Sequence, residues 1–371
     1  MAADEVVQPR AAVIQQGSPA VRGSVAPTLA EQFDPRRNGL NAVRLGLAAA
    51  VIVWHSAPVT GTPVPWAPVR HLGGSLWVDA FFAISGFLIT RSWMRNPRVG
   101  SYLRARALRI LPAFYVCLLL TAFVIAPLAV RAQGQTLAAS DSLHYVLANS
   151  LLRVQQYGIA GTPTDVPFPG VWNGSLWTLW WEALCYLGIV AIGLLGLLKR
   201  SRLTIAVLFG LFWCAELAVT LGVLDRYEFR MGARFGLMFT AGALMLVFAD
   251  KIRVRPRYVA LAAVGLLPAA FLSDYRLVAA PLVAYCALAL GAMMTAPRWR
   301  FTQDLSYGTY VYAFPLQQLL ACLGLATLPV AAFAGLSIAV TLPLAAASWF
   351  LVERPALRLK RRRAPDRVQL G

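Results

Sequence analysis

The chain has 371 residues, of which 58% are hydrophobic and 13% charged, and its 34 Lys and Arg residues against 16 Asp and Glu give a formal net charge of +18. Soluble domains carry about 25% charged residues, and disordered chains lack this much apolar surface. Composition therefore excludes a disordered protein and argues against a soluble enzyme or a soluble nucleic-acid binder. We predict one multi-span membrane domain with the lipid bilayer, and no nucleic acid, among its partners.

The chain begins with a polar segment and continues with repeated apolar runs. Residues 1–39 contain no continuous apolar stretch and no secretory signal, which predicts a disordered cytoplasmic tail. Runs of about 20 apolar residues, the length that crosses the hydrocarbon core, then recur through a domain at 40–353. We place them at 41–58, 75–92, 108–129, 176–198, 203–223, 232–249, 258–272, 278–296, 305–325 and 331–352. The predicted fold is an all-α polytopic membrane protein with about ten transmembrane helices, followed by a basic cytoplasmic tail over 354–371.

The basic residues are distributed unequally between the two sides of these runs. With a cytoplasmic N-terminus, 27 of the 34 Lys and Arg residues lie in the inner segments or at the span ends next to them. Since cytoplasmic loops of membrane proteins are enriched in Lys and Arg, both termini are predicted to be cytoplasmic. The high Ala and Arg content is typical of a GC-rich bacterial gene, so we expect a multi-pass protein of the bacterial cell (inner) membrane.

The longest predicted outer loop covers about 130–174 and includes Pro163 and Trp172. Loops of this length are often functional, and a solvated connector is an equal alternative. The three His and five Cys residues form no cluster with metal-ligand spacing, so we expect no metal site.

Ionisable residues inside apolar runs are costly in a membrane and are therefore candidates for function. Arg44 and His55 are eleven residues apart in the first run, which places them on one helix face, about 16 Å apart along the axis. His55 is a candidate general base, and an imidazole satisfied by a neighbouring helix is the alternative. Asp79 in the second run needs a partner, for which we consider His55 and Arg44, and a structural ion pair is the other reading. Ser85 and Gly86 allow close approach between helices.

A polar stripe is predicted at the start of the fourth run. Ser175, Thr178 and Glu182 are spaced i, i+3 and i+7 on a helix that is otherwise aromatic and includes Trp177. Because polar groups facing lipid are penalised, we expect this stripe to face a cavity.

Three arginines lie at the cytoplasmic end of the third run. Arg104, Arg106 and Arg109 are consistent with ordinary cytoplasmic anchoring. The alternative is a phosphate cradle, because the guanidinium group matches phosphate oxygens in geometry and charge.

At these residues the sequence resembles the membrane-bound acyltransferase-3 family. The resemblance covers most of residues 38–360, and its motifs occur in the family's order at span ends. The motifs are Asn38 to Arg44 with His55, Val78 to Ile89, Tyr102 to Pro112, Ser175 to Glu182, Leu305 to Tyr310, and Val352 to Pro355.

The resemblance implies a ten-span enzyme that moves an acyl group, commonly acetyl from acetyl-CoA, to a hydroxyl of a carbohydrate, a lipid-linked sugar or a glycosylated metabolite. No tightly bound cofactor is implied, and acyl-CoA is the donor substrate. Many relatives carry a His where this chain has Ala313, and many carry a fused SGNH-type domain. We therefore expect the stand-alone form, with His55 as the buried imidazole.

The resemblance also implies roles for the candidate residues. His55 and Arg44 match the family's histidine and arginine pair, and Asp79 or Glu182 would orient the imidazole as a carboxylate does in a catalytic triad. The cytoplasmic arginine motif, with Ser85 and Gly86, would bind the donor, and the polar stripe with Trp177 would contact the acceptor. His55 would act as general base for direct attack on the thioester, and an acyl-histidine intermediate stays open. A proton-coupled transporter is the alternative function, since intramembrane Arg, His and carboxylates also build proton relays.

Overall fold

The computed structural model describes residues 26–359, without the side chains of residues 199 and 200. The regular secondary structure of this part of the chain is helical, apart from two isolated β-bridges, which confirms the all-α prediction. A helix lies at each of the ten predicted positions. We number these helices α1 (Leu40–Val59), α2 (Leu76–Arg95), α3 (Val99–Leu120), α4 (Thr178–Leu194), α5 (Leu203–Thr220), α6 (Tyr227–Val247), α7 (Pro256–Ala269), α8 (Arg276–Met293), α9 (Ser306–Cys322) and α10 (Val330–Ser348).

Several helices continue beyond these bounds through single π-helical turns. The turns are His71–Ser75 before α2, Thr121–Ile125 after α3 and Trp349–Glu353 after α10. Within residues 26–359, six helical segments are then long and apolar enough to cross a membrane: Leu40–Val59, Ala67–Arg95, Val99–Ala132, Leu203–Thr220, Arg276–Met293 and Val330–Arg358. α4 and α7 are apolar but shorter. These lengths and compositions are those of a polytopic membrane protein.

The segment before α1 packs against the bundle where the structure describes it. Leu29–Gln32 form a short helix, with a capping box between Thr28 and Glu31 and with Leu29 buried. The amide of Leu29 donates to the carbonyl of Ile252 at 2.7 Å. Of the predicted tail over 1–39, residues 1–25 lie outside the described residues. Of the predicted tail over 354–371, Arg354–Arg358 form a short helix and residues 360–371 lie outside.

The backbones of α2 and α6 touch through two glycines. A Cβ atom at Gly86 would overlap the carbonyl oxygen of Phe239, and one at Gly242 would overlap the carbonyl oxygen of Ala83. The close approach predicted at Gly86 is therefore present, and α6 is the helix that makes it. This contact places the polar residues of α2 next to those of α6.

The Gly86→Ala variant should fold poorly, because its added methyl group meets a backbone oxygen that no side-chain rotation can move away. Overpacking costs about 1–3 kcal/mol even where side chains can adjust, so we expect at least this loss of stability. Size-exclusion chromatography and thermal unfolding in detergent measure the effect. Gly46→Ala is the matched control, because a Cβ there meets nothing within 4 Å, and its stability should stay equal or rise. Wild-type stability in both variants would contradict the packing assigned to Gly86.

The long segment between α3 and α4 is folded onto the bundle, which excludes a solvated connector. It contains the helix Ala139–Asn149, and Trp172 is fully buried, with its indole N–H donating to Thr162 Oγ1 at 3.0 Å. The Gln318 amide on α9 donates to the carbonyl oxygens of Phe168 and Val171 at 2.7 and 2.6 Å. This segment therefore covers the end of the bundle at which α9 terminates.

Candidate active site

A polar cavity of about 350 Å³ lies among α1, α2, α3, α4 and α9, which we call the inner cavity. It extends from the N-terminal end of α1 toward the middle of the bundle. The polar residues lining it are Asn41, Arg44, Ser85, Arg106, Arg109, Thr178, Glu182, Tyr186, Asp304, Ser306, Tyr307 and Tyr310. Its size is at the lower end of the range for small-molecule sites.

Two arginines of the inner cavity share one carboxylate. Arg44 on α1 and Arg109 on α3 both bind Asp304 Oδ2, Arg109 at 2.5 Å, and Arg109 also binds Glu353 Oε2 at 2.8 Å. Asp304 lies in the loop before α9, outside the membrane-spanning helices. Burial by itself raises the pKa of Asp304, but Arg109 and Arg44 outweigh this effect and lower the pKa to about 2. Asp304 is therefore charged at neutral pH, and it ties together helices that are distant in sequence.

Arg106 and Glu182 line the same cavity but differ in the hydrogen bonds that their side chains form. Arg106 Nε is buried and has no hydrogen-bond partner among the described residues. Glu182 Oε1 accepts hydrogen bonds from Ser85 Oγ at 3.3 Å and from the Tyr186 hydroxyl. The cavity thus contains a guanidinium nitrogen without a partner and a carboxylate that two hydroxyl groups hold in place. A buried donor without a partner is costly unless a ligand satisfies it.

His55 lies on α1 outside the inner cavity. Its ring packs edge-on against Phe314, with centroids 5.1 Å apart, and its buried Nδ1 has no hydrogen-bond partner in the described part of the chain. Tyr310, one turn before Phe314 on α9, lines the cavity and packs against Phe81 at 5.8 Å between ring centroids. Phe314, which contacts His55, and Tyr310, which lines the cavity, therefore lie one turn apart on the same face of α9.

Asp79 is completely buried and belongs to a separate ion cluster. Arg234 Nε on α6 binds its Oδ1 at 2.8 Å, Arg276 Nε on α8 binds its Oδ2 at 2.7 Å, and the Tyr275 hydroxyl also donates to Oδ2. The expected pairing of Asp79 with His55 or Arg44 is wrong, because α6 and α8 bring two other arginines closer. Asp79 and Glu182 bind other groups, and among the described residues neither carboxylate forms the hydrogen bond to His55 that a triad requires.

The sequence model of the acyltransferase-3 family, described as an acyltransferase domain, matches residues 37–349. This match includes α1 to α10 and the residues lining the inner cavity, apart from Leu357. The chain belongs to the acyltransferase-3 family. It is therefore an acyltransferase.

Two curated relatives are similar to this acyltransferase over nearly their whole length. The O-acetyl transferase of Shigella phage Sf6 is 29% identical, over 86% of this chain and 96% of the phage protein. Nodulation protein 10 of Rhizobium leguminosarum bv. viciae is 27% identical, over 89% of this chain and 96% of its own. No solved structure matches the chain.

Some of the remaining candidate residues of the acyltransferase line the inner cavity, and the others lie around it. Thr178 lines the cavity, where its hydroxyl lies 2.8 Å from the Tyr310 hydroxyl. Ser175 precedes α4 rather than lying on it, and its carbonyl oxygen accepts from Tyr310 at 3.1 Å. The predicted stripe therefore reaches the cavity through Thr178 and Glu182, because α4 begins later than expected.

Other candidates have contacts outside the inner cavity. Trp177 packs against Phe235 of α6, with ring centroids 5.6 Å apart. Gly86 forms the α2–α6 contact described above. Arg104 donates to the carbonyl oxygen of Leu359 at 3.1 Å, on the opposite side of α3 from the cavity lining. Of the three arginines on α3, the structure brings Arg106 and Arg109 to the cavity.

The site of the acyltransferase contains three further residues to which no role is assigned from the sequence. Asp304 and Tyr310 line the inner cavity, and Glu353 binds Arg109. Tyr310 and Glu353 both lie in motifs that carry the family resemblance, and Asp304 directly precedes one of them. An acidic residue beside a span in a basic segment is a usable signal for Asp304. Its two arginine partners are not readable from sequence, since they lie 195 and 260 residues away.

Proposed function

We propose that this acyltransferase moves an acetyl group from acetyl-CoA to a hydroxyl of a carbohydrate, a lipid-linked sugar or a glycosylated metabolite. The similarity to an enzyme named O-acetyl transferase supports acetyl as the group and oxygen as the acceptor atom. The observation that carries the proposal is the inner cavity, in which the buried Arg106 Nε has no partner among residues 26–359. Such a cavity suits the carbonyl and amide groups of an acyl-pantetheine arm.

We further propose that all ten helices cross the bacterial cell membrane, with both termini in the cytoplasm and tails over 1–39 and 354–371 flanking the domain at 40–353. The uneven distribution of Lys and Arg supports this orientation. In it, the inner cavity lies toward the cytoplasm, where acetyl-CoA is available. The folded segment between α3 and α4 then covers the outer end of the bundle.

In the proposed reaction, His55 acts as general base at Nδ1, which has no hydrogen-bond partner in the part of the chain that the structure describes. The imidazole takes the proton of the acceptor hydroxyl, and the hydroxyl oxygen attacks the thioester carbonyl carbon. The carbon–sulfur bond breaks, and the CoA thiolate takes the proton from the imidazolium, so that the ester and free CoA leave. Because His55 does not line the inner cavity, side chains between the cavity and His55 must move when the donor arm extends.

The other candidates are proposed to act around this step. Arg106, with Ser85 and Thr178, binds the donor arm, and Glu182 balances the charge of Arg106 in the cavity. Arg44 and Arg109, held by Asp304, form the charged wall at the entrance. Asp79, Gly86 and Arg104 are proposed to support the fold around the site. Ser175 and Trp177 support α4 and so the position of Thr178.

Purified protein in lipid nanodiscs tests the proposal directly. With acetyl-CoA labelled in the acetyl group, label should appear in a polysaccharide or glycosylated acceptor only when protein is present. The acceptor class can be found by mass spectrometry, as one acetyl mass lost from the surface glycans or secreted metabolites of a strain that lacks the gene. Absence of acetyl transfer, together with solute uptake into liposomes, would instead support the proton-coupled transporter.

Arg106→Ala should raise the KM for acetyl-CoA about tenfold or more, since a hydrogen bond from a charged group contributes about 1.5–3 kcal/mol. The effect should shrink at high salt, which screens charge interactions. Initial rates at low and high ionic strength measure it. Arg98→Ala is the matched control, because Arg98 is exposed in the loop before α3. An unchanged KM in Arg106→Ala would mean that this arginine only orients the protein in the membrane.

A further inference from the structure

A second cavity adjoins the inner cavity at the same end of the bundle. Its volume is about 610 Å³, and it shares the lining residues Asn41 and Leu88 with the inner cavity. We call it the arginine pocket. The inner cavity, at about 350 Å³, suits a narrow arm rather than a whole acyl-CoA molecule. A ligand that extends out of the inner cavity past Asn41 would enter the arginine pocket.

The arginine pocket is strongly basic. Arg36, Arg91 and Arg300 line it, and its lining contains no Asp or Glu among the described residues. Arg300 Nε is buried and has no hydrogen-bond partner in the described range. Arg91 lies over the Phe33 ring at 5.3 Å and interacts electrostatically with Asp34 beside the pocket, but no ion pair of Arg36, Arg91 or Arg300 occurs within residues 26–359. Guanidinium groups without carboxylate partners are suited to bind phosphate oxygens.

The pocket also presents an aromatic ring on a fixed loop. Phe301 lines the pocket and is 40% exposed, and its carbonyl oxygen accepts a hydrogen bond from the Asn41 amide at 2.8 Å. Asn41 therefore holds this loop at the boundary between the two cavities. An exposed ring next to several arginines combines a stacking surface for a base with donors for phosphates.

We propose that the arginine pocket binds the adenosine nucleotide portion of the acyl-CoA donor, with its 3′-phosphate and diphosphate on Arg36, Arg91 and Arg300 and its adenine on Phe301. This inference rests on the proposed function, because it assigns the donor's nucleotide to a place outside the three arginines of α3. Arg109 already has two carboxylate partners and Arg104 lies outside the cavity, which leaves the nucleotide phosphates to other residues. The pantetheine arm then passes Asn41 and Leu88 into the inner cavity.

An anionic lipid headgroup has the same phosphate chemistry, and the experiment separates the two sources. The 3′-phosphate is absent from 3′-dephospho-CoA, so KM values for acetyl-CoA and acetyl-3′-dephospho-CoA are compared in nanodiscs of neutral lipid. Wild-type protein should prefer acetyl-CoA. In Arg91→Gln and Arg300→Gln, the KM for acetyl-CoA should rise about 10- to 100-fold, as expected for a lost charge-assisted hydrogen bond, with kcat little changed. The ratio of the KM for acetyl-3′-dephospho-CoA to the KM for acetyl-CoA should be smaller in at least one of the two variants than in the wild type.

The matched control is Arg298→Gln, because Arg298 is an exposed arginine two residues from Arg300 that does not line the pocket. Its KM should equal that of the wild type. Direct binding of adenosine 3′,5′-bisphosphate, measured by calorimetry, should be present in the wild type and weaker in both pocket variants. If wild-type protein transfers acetyl groups but the pocket variants keep their KM and their binding, the inference is overturned and the proposed function stands.

Two further outcomes are decisive. If wild-type protein shows no acetyl transfer but binds the bisphosphate through Arg91 and Arg300, the proposed function fails and the nucleotide site is supported. If the variants lose binding to phosphatidylglycerol vesicles while both KM values and bisphosphate binding stay unchanged, the pocket belongs to lipid and the inference is overturned.

Discussion

Replacing His55 with Ala should lower the rate of acyl transfer by about 10²- to 10⁴-fold, the usual contribution of a general base. The His55 Nδ1 has no partner among the described residues, and the ring contacts Phe314, so its removal breaks no hydrogen bond seen there. The variant is therefore expected to fold. Initial rates with labelled acetyl-CoA and an acceptor in nanodiscs measure the loss, and added imidazole should restore part of the rate.

His144→Ala is the matched control for this prediction. His144 is exposed in the segment between α3 and α4, where its ring nitrogen lies 2.7 Å from the Gln156 side-chain oxygen. We expect its transfer rate to match that of the wild type. A folded His55→Ala protein that transfers acetyl groups at nearly the wild-type rate would refute the assignment of His55 as the base. Loss of rate without rescue by imidazole would assign His55 a packing role beside Phe314.

Replacing Asp79 with Ala should destabilise the folded protein by about 3–5 kcal/mol, the range for removing one partner of a buried ion pair. The Asp79 side chain is 0% exposed, and its loss leaves Arg234 and Arg276 without their shared carboxylate. Since these residues join α2, α6 and α8, we expect a lower midpoint of thermal unfolding and less monodisperse protein. Tryptophan fluorescence during heating in detergent measures the midpoint.

Asp225→Ala provides a surface comparison for the same charge change. Asp225 is 90% exposed, and its ion pair with Arg230 is 3.9 Å long, so its removal should cost less than about 1 kcal/mol. If the two variants unfold at the same temperature, the ion cluster around Asp79 does not hold the helices together. A fully stable but inactive Asp79→Ala protein would place Asp79 back in the catalytic machinery.

The candidate site was predictable to the extent that it depends on local pattern. The spacing of Thr178 and Glu182 correctly indicated that both face a cavity, since one helix turn sets which residues share a face. The glycine at position 86 correctly indicated a close helix contact. The same spacing argument was wrong for Ser175, because α4 begins only at Thr178. The residue at which a helix begins is the least certain part of a prediction from sequence.

The partners of the charged residues were not predictable in the same way. Sequence proximity suggests His55 or Arg44 on the neighbouring helix as partners of Asp79, but its partners lie 155 and 197 residues away on α6 and α8. Hydropathy says that a buried carboxylate needs a cation, and it contains no information about which helix supplies that cation. Likewise, no role is assigned to Asp304 from the sequence, although Asp304 binds both Arg44 and Arg109 in the folded protein.

By itself, the sequence determined the helical character of the protein, the positions of α1 to α10, the uneven placement of Lys and Arg, and the motifs of its family. These properties depend on hydrophobic length and helix period, which act over one helix or one loop. The tertiary structure alone decided which of the described arginines are paired, which face a cavity and which form no ion pair within residues 26–359. Those outcomes depend on how helices far apart in sequence pack together, and that packing separates His55 from the inner cavity while placing the arginine pocket beside it.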